Sequence, residues 1–285
     1  MIGIVGGSGL YQMDGLVNPT WREVTTAWGS PSDAILVGEL GGTPIAFLPR
    51  HGRGHRFSPT DINYRANIAA LKSLGVTDVI SLSAVGSLRE NLAPGTFVII
   101  DQFVDRTFER AKTFFGAGLV AHVSVADPVC RRVGDALEAA AKTAGATVVR
   151  GGAYVVMEGP QFSSRAESEL YRSWGMSVVG MTNMPEAKLA REAELCYATV
   201  AMVTDYDCWH TGHADVTVDQ VIAVLGQNAE TARRLVREAA PRIAVRPAVC
   251  PRGCNRALDH AIITPPASRD PAMVARLHPI AGRVL

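Results

Sequence analysis

Two carboxylates, Asp205 and Asp207, directly follow the apolar run Cys196-Tyr-Ala-Thr-Val-Ala-Met-Val-Thr204. A run of that character reads as a buried strand, and packing gives it no reason to end in paired acids. If strand geometry persists, the i, i+2 spacing sends both carboxylates off one face, at the carboxyl end of the sheet where open α/β folds bind ligands. Tyr206 between the acids and Trp209 after them predict partial shelter, and a sheltered carboxylate is costly unless paired or used. The bland alternative is a cap and a solvated strand end, so convergence of other segments decides between the two.

Three further strand ends carry anion-binding equipment. Gly6-Gly7-Ser8-Gly9 offers backbone N–H groups and a hydroxyl, equally as an anion loop or as a tight turn. The dinucleotide fingerprint needs a glycine where Gln12 stands, and the Walker lysine motif is absent, which tilts against both cofactor classes. Arg50-His51-Gly52-Arg53-Gly54-His55-Arg56 places three Arg and two His after a strand, well set to grip phosphate. Its glycines disfavour the helix that would turn His51 and His55 toward one metal. Ser81-Leu-Ser83-Ala84-Val-Gly86-Ser87 adds hydroxyls and small residues. Together Ser8, Arg50, His51 and Ser83 supply donors suited to inorganic phosphate or a phosphate ester. Phe162, Met181 and Met184 lie on two strand-to-helix connections and are either core or the apolar wall for a flat heterocycle.

The elements that must position these residues alternate apolar strands with amphipathic helices, which predicts a parallel or mixed sheet covered by helices. Strands are expected at 2–5, 33–38, 44–49, 78–84, 96–100, 147–157 (broken at Gly151-Gly152), 176–181 and 196–205. Helices are expected over 61–74 with Asp61 as N-cap, after Asp127 with Val133, Leu137 and Ala141 on one face, and over 164–174 and 185–193. A long helix over 217–240 is expected to end at Pro241. One domain over 1–241 is predicted, followed by a Pro- and Arg-rich extension over 242–285 that packs on it or on a neighbouring subunit.

With 285 residues, net charge +1 and 19% charged residues, the chain has the size of one large α/β domain and no basic footprint for nucleic acid or anionic membrane. It shows neither a signal-peptide pattern nor a membrane-length apolar run, which predicts a cytoplasmic protein. Of five cysteines, Cys130, Cys196 and Cys208 fall in segments read as buried. Cys250 and Cys254 are read as free thiols, with a disulfide second. Zinc is disfavoured because no second pair is evident, and no metal is expected.

Gly6-Gly-Ser-Gly9, Arg50-His-Gly-Arg-Gly-His55, Gly86-Ser-Leu-Arg-Glu90, Asp101-Gln-Phe-Val-Asp-Arg-Thr107, Glu158-Gly-Pro-Gln-Phe-Ser-Ser-Arg-Ala-Glu-Ser168 and Thr204-Asp-Tyr-Asp-Cys-Trp209 closely resemble the methylthioadenosine phosphorylases of the purine nucleoside phosphorylase family, from the N-terminus to about Ala240. The resemblance implies a single-domain, three-layer α/β fold with a central mixed sheet flanked by helices, assembled as a homotrimer or a dimer of trimers. It implies phosphate contacts from Ser8, Arg50, His51, Ser83, Ala84 and Thr182, and substrate contacts from Met181, Phe162, Asp205, Tyr206 and Asp207. Specificity for the 5′ group falls to Ser163, Val218 and a neighbouring subunit's His122. No cofactor is implied, and phosphate is a co-substrate. Ser8 and Ser83 replace a common Thr, Gln161 a frequent Arg and Asn183 a frequent Thr.

The implied reaction is phosphorolysis of 5′-methylthioadenosine, in purine and methionine salvage. Cleavage builds positive charge on the ribose and negative charge on the purine. Phosphate serves the first, and a protonated Asp205 donating to N7 serves the second. Carboxylates at the base favour a 6-amino over a 6-oxopurine. A phosphorylase for 6-oxopurines, a hydrolytic nucleosidase and a silent nucleoside or phosphate sensor are the rivals.

Overall fold

Two ten-residue apolar segments, Asp78–Ser87 and Cys196–Asp205, pair in parallel at the centre of the molecule, buried on both faces as their near-continuous hydrophobicity requires. The computed structural model describes residues 1–7, 15–210 and 218–285. Its elements are β1 (Ile2–Gly6), β2 (Leu16–Arg22), β3 (Ile35–Leu40), β4 (Thr43–Pro49), α1 (Tyr64–Ser73), β5 (Asp78–Ser87), β6 (Phe97–Ile99), β7 (Gln102–Arg106), α2 (Arg131–Thr143), β8 (Val148–Arg150), β9 (Ala153–Met157), α3 (Arg165–Ser173), β10 (Val178–Gly180), α4 (Asn183–Glu192), β11 (Cys196–Asp205), α5 (Val218–Ala244) and α6 (Pro271–Ala281).

One arm of the mixed sheet runs β2-β3-β4-β1-β5. Beyond it the strands close a circuit. β5 pairs β11, β11 pairs β6, and β6 pairs β8. The chain bends at Gly151-Gly152 into β9, which pairs β7 and β10, and β10 returns to the late half of β5 at Val179↔Gly86. At the far end of the arm, β2 pairs β3 through a register shift between Val17 and Thr20, with Asn18 at φ 52°.

Helices form the outer layers. On one face α1, α4 and α6 bury Ile68, Leu71, Leu189, Leu277 and Ile280. On the other, α2 and α5 bury Val133, Leu137, Leu235, Val236 and Ile243. Each such aliphatic side chain stabilises the fold by about 1.5–3 kcal/mol relative to exposure. A third, smaller cluster of Leu88, Val155, Tyr171, Met176, Val179 and Trp209 seats α3. The α/β three-layer reading holds, and no helix among the described residues is long and apolar enough to cross a membrane.

Several boundaries differ from expectation. Asn63, not Asp61, caps α1, accepting from the Ala66 N–H, and Asp61 instead accepts from Ser58 Oγ. α2 starts at Arg131 behind Cys130, four residues past Asp127. Pro241 does not end α5, which continues to Ala244. There the burial of Ala239, Ala240 and Ile243 outweighs the lost backbone bond, and Arg242 Nε donates to the Glu238 carbonyl (3.2 Å) in the disturbed turn. The segment beyond 241 also enters both cores, Leu258, Leu277 and Ile280 on one face and Cys250 and Cys254 on the other. The expectation that Cys250 and Cys254 have no second pair is corrected: Cys130 and Cys196 meet them, all four sulfurs lying within 4.8 Å of one another. Spacing could not reveal this, because the partners come from distant segments.

Candidate active site

The phosphate-grip segments converge where β4 ends, level with the middle of β5. Arg50, 2% exposed, donates from Nε to Glu186 Oε2 (2.7 Å) and from Nη2 to Glu186 Oε1 (2.9 Å) and Ser81 Oγ (2.6 Å). Its Nη1 reaches the Leu82 carbonyl (2.9 Å). Burial alone would lower the Arg50 pKa, but Glu186 overrides it and raises it, so the guanidinium stays charged within a nearly neutral pair. Much of its hydrogen-bonding capacity therefore fixes β5 and α4, a structural task that the sequence did not assign to it. Asn183 has a similar task, donating to Ser81 Oγ, Tyr197 OH and Thr199 Oγ1.

His51 Nδ1 lies 2.9 Å from the Phe57 carbonyl, and its ring stacks on His55 at 4.1 Å. A carbonyl only accepts, so Nδ1 carries the proton. Burial, with the charges of His55 and Arg50, lowers the His51 pKa to about 4 against the Phe57 bond. At neutral pH Nε2 is then a bare acceptor, suited to a P–OH group. Ser83 Oγ lies 3.2 Å from both Thr182 Oγ1 and Tyr154 OH, a trio of buried hydroxyls with Ala84 beside it on β5. Thr182 is the α4 N-cap residue, but its side chain caps nothing, which leaves its hydroxyl for other use. Tyr154 escaped the sequence reading, and so did its reason for fitting: a Cβ on Gly180 would stand 2.1 Å from Tyr154 OH. Ser8 lies outside the described residues.

Asp205 ends β11 opposite Gly86, three residues past Ser83, so the acid and the hydroxyl trio stand roughly 10 Å apart along the strands. Its Oδ2 accepts from Thr204 Oγ1 (2.7 Å) and its Oδ1 from the Asp207 N–H (2.8 Å). Burial raises the Asp205 pKa, and the Asp207 charge adds to it against these two bonds. A glycine at 86 is what admits the acids, since a Cβ there would meet Asp205 Oδ1 at 2.9 Å.

The expectation that strand geometry carries Asp207 onto the same face is overturned. The strand stops at Asp205, and Asp207 opens a short 3-10 turn at φ 53°. Asp207 is buried, its Oδ2 has no hydrogen-bond partner among the described residues, and burial raises its pKa against the neighbouring Ser168, Cys208 and Ser163 groups. Tyr206 stacks on His210 (4.6 Å), while Trp209 Nε1 donates to the Ser87 carbonyl (2.8 Å).

The apolar wall rests on a buried pair that the sequence reading missed. Arg110 Nε donates to Glu158 Oε1 (2.8 Å), and Arg110 also reaches the Met181 (2.5 Å), Met184 (2.7 Å) and Glu158 (2.5 Å) carbonyls. Burial would raise the Glu158 pKa, but Thr60, the Phe108 and Glu109 N–H groups and Arg110 bring it down to about 2. Met181 is thereby held, half-buried, against Gly159. Phe162 is 46% exposed and Ser163 is buried. Val218 is 60% exposed at the start of α5. His122 is exposed, on a segment whose N–H meets the Ala261 carbonyl (2.8 Å). A cavity of about 640 Å³ lined by Lys72, Glu194, Arg246 and Arg283 lies toward the amino ends of β5 and β11 and contains none of these residues.

The arrangement offers hydroxyl and imidazole groups for an anion at one end, a carboxyl suited to carry a proton at the other, and apolar side chains near them. The family model of the phosphorylase superfamily matches residues 1–241. The S-methyl-5′-thioadenosine phosphorylase of Cereibacter sphaeroides is 61% identical over 285 residues, covering 100% of this chain and 98% of that one. Its counterpart in Rhodospirillum rubrum is 58% identical, covering 100% and 97%. Among solved structures, a methylthioadenosine phosphorylase from an Antarctic soil metagenomic library superposes with TM-score 0.92 at 48% identity, covering 98% of each chain. The Schistosoma mansoni methylthioadenosine phosphorylase in complex with adenine gives TM-score 0.80 at 38% identity, covering 86% of this chain and 92% of that one. This chain therefore belongs to the phosphorylase superfamily.

Proposed function

We propose that the chain is an S-methyl-5′-thioadenosine phosphorylase, converting 5′-methylthioadenosine and phosphate to adenine and 5-methylthioribose 1-phosphate. The observation that carries the reading is Asp205, a half-buried carboxyl with a raised pKa at the end of β11, aligned with the Ser83–Thr182 hydroxyls in a chain 61% identical to a relative of that name.

In this reading Ser83, Thr182 and backbone near Ala84 hold phosphate, with Ser8 beside them. His51 Nε2 accepts the P–OH of the dianion, and Arg50 contributes through its pair with Glu186. Phosphate oxygen attacks C1′ as the bond to N9 breaks, and the electron pair passes to the purine. Asp205 gives its proton to N7 and is reprotonated from solvent. Phe162, Met181 and Tyr206 flank base and ribose. Asp207 acts close by, its N–H orienting Asp205. Ser163, Val218 and His122 define the 5′ pocket, the exposed His122 reaching a neighbouring copy within a homotrimer whose mass sedimentation measures. No cofactor takes part, and the enzyme works in cytoplasmic purine and methionine salvage.

The test is release of free base from 5′-methylthioadenosine, adenosine, methylthioinosine and inosine, each with and without phosphate. Adenine formed only with phosphate, and fastest from the methylthio substrate, is expected. Preference for an inosine substrate overturns the base assignment, turnover without phosphate indicates a hydrolase, and no turnover of any indicates a sensor.

A further inference from the structure

Cys130, Cys196, Cys250 and Cys254 come from three separate parts of the chain, and each is at most 2% exposed. Cys130 is the N-cap residue of α2, Cys196 opens β11, and Cys250 and Cys254 flank a turn beyond α5. That turn is built for presentation. Gly253 adopts φ 66°, its N–H donates to the Cys250 carbonyl (2.8 Å), and the Cys250 N–H is taken by Asn255 Oδ1 (2.8 Å). The Cys130 N–H donates to the Tyr197 carbonyl (2.7 Å), which locks the first two cysteines together.

The four sulfurs all lie within 4.8 Å of one another, and Cys130 Sγ stands 3.7 Å from Cys250 Sγ. A tetrahedral zinc with Zn–S bonds of about 2.3 Å has S···S edges of about 3.8 Å. The Cys130–Cys250 separation matches that edge and no other sulfur pair exceeds it by more than about 1 Å, whereas a disulfide needs about 2.05 Å and a single chosen partner. All four cysteines are free thiols.

The surroundings match an anionic centre. Arg132, two residues past Cys130, lies against Cys196 and pairs with Asp78. Its buried Nε has no hydrogen-bond partner among the described residues. Arg191 acts on Cys254 from α4. Four thiolates around a divalent zinc carry net charge −2, with four protons released to solvent on binding, and two guanidiniums are apt neighbours for that charge.

We infer that Cys130, Cys196, Cys250 and Cys254 form a structural zinc site that fastens the segment beyond α5 to α2 and β11. With four protein ligands the site is closed to substrate. It also stands roughly 30 Å along β11 from Asp205, nine residues at strand rise, so its task is architectural.

The full chain, purified without chelators, should contain about one zinc per chain by elemental analysis, released when an organomercurial titrates the thiols. Cobalt exchanged into the wild type should give the charge-transfer and visible bands of a tetrahedral tetrathiolate. Joint Cys250→Ser and Cys254→Ser substitution should reduce zinc to below about a tenth per chain, while Cys208→Ser leaves it unchanged. Metal-free protein with all cysteines reactive, or an intact mass short by two hydrogens per disulfide, overturns the site. If the double variant fails to fold, the cobalt spectrum of the wild type decides, and octahedral or absent bands overturn the assignment.

Discussion

Glu158 and Asp205 both close strands of the same circuit, yet one is held ionised and the other is pushed toward its neutral acid. Burial acts on both in the same direction. Glu158 is overruled by a guanidinium and by backbone and hydroxyl donors, whereas Asp205 has one hydroxyl, one N–H and a like charge beside it. A carboxyl answered by a cation becomes a fixed strut, and one left short of donors retains a proton that it can give away.

Removing the proton should do most damage. Asp205→Asn keeps the shape but cannot deliver a proton, and kcat is expected to fall about 10²–10⁴-fold. Because the Asp205 pKa is raised, wild-type activity should decline as pH climbs through it, and the variant should lose that limb. Unchanged turnover with an unchanged profile breaks the comparison at its catalytic end.

The strut end yields to Arg110→Met, which strands Glu158 in the interior. Denaturant unfolding should show a loss of about 3–5 kcal/mol, with part of it recovered when Glu158 is also made apolar. Additive losses instead would mean that the two side chains do not act as a pair.

Glu192 sharpens the contrast as an intermediate case. It is buried and accepts from the Phe114 N–H and Thr113 Oγ1 (both 2.7 Å), with no cation partner among the described residues, and burial raises its pKa to about 7 despite those bonds. The folded state therefore binds the proton more tightly than the unfolded chain, whose ordinary value is 4.5. This group favours folding below pH 4.5 and loses that advantage as pH rises to about 7. Glu192→Gln, able to accept from Phe114 and donate to Thr113, should stabilise the protein at pH 8 by on the order of 2 kcal/mol, with little effect at pH 4.5. Thermal unfolding across that range measures it, and equal shifts at both pH values would refute it.

Legibility in the sequence followed physical signal. β11 and its acidic stop stood out because a doubly buried strand is apolar throughout, and the helix expected over 164–174 forms as α3, opened by a capping box of Ser164 and Glu167. β2 did not, since Asn18 and Pro19 give an edge strand the look of a loop. β7 is short and polar, and α6 carries Pro279 within it, although Asp270-Pro271 was a readable start. At the site, Asp205, His51 and Ser83 were singled out by their own local chemistry, and Thr182 only through the family resemblance. What one sequence cannot display is partnership across more than a hundred positions, such as Arg50 with Glu186 or Cys130 with Cys250. That Asp207 turns out of the strand was not legible, because a left-handed backbone at an Asp leaves no mark in composition.

The register shift in β2 bears on how copies of this protein behave when crowded. β2 ends the sheet arm, with Val17 and Trp21 partly exposed along it, the kind of border that recruits a strand from another molecule. Pro19 has no N–H to offer such a visitor, and the bulge around Asn18 bends the backbone away from the flat geometry it would need. The irregularity that hid β2 from the sequence reading is thus a guard against aggregation.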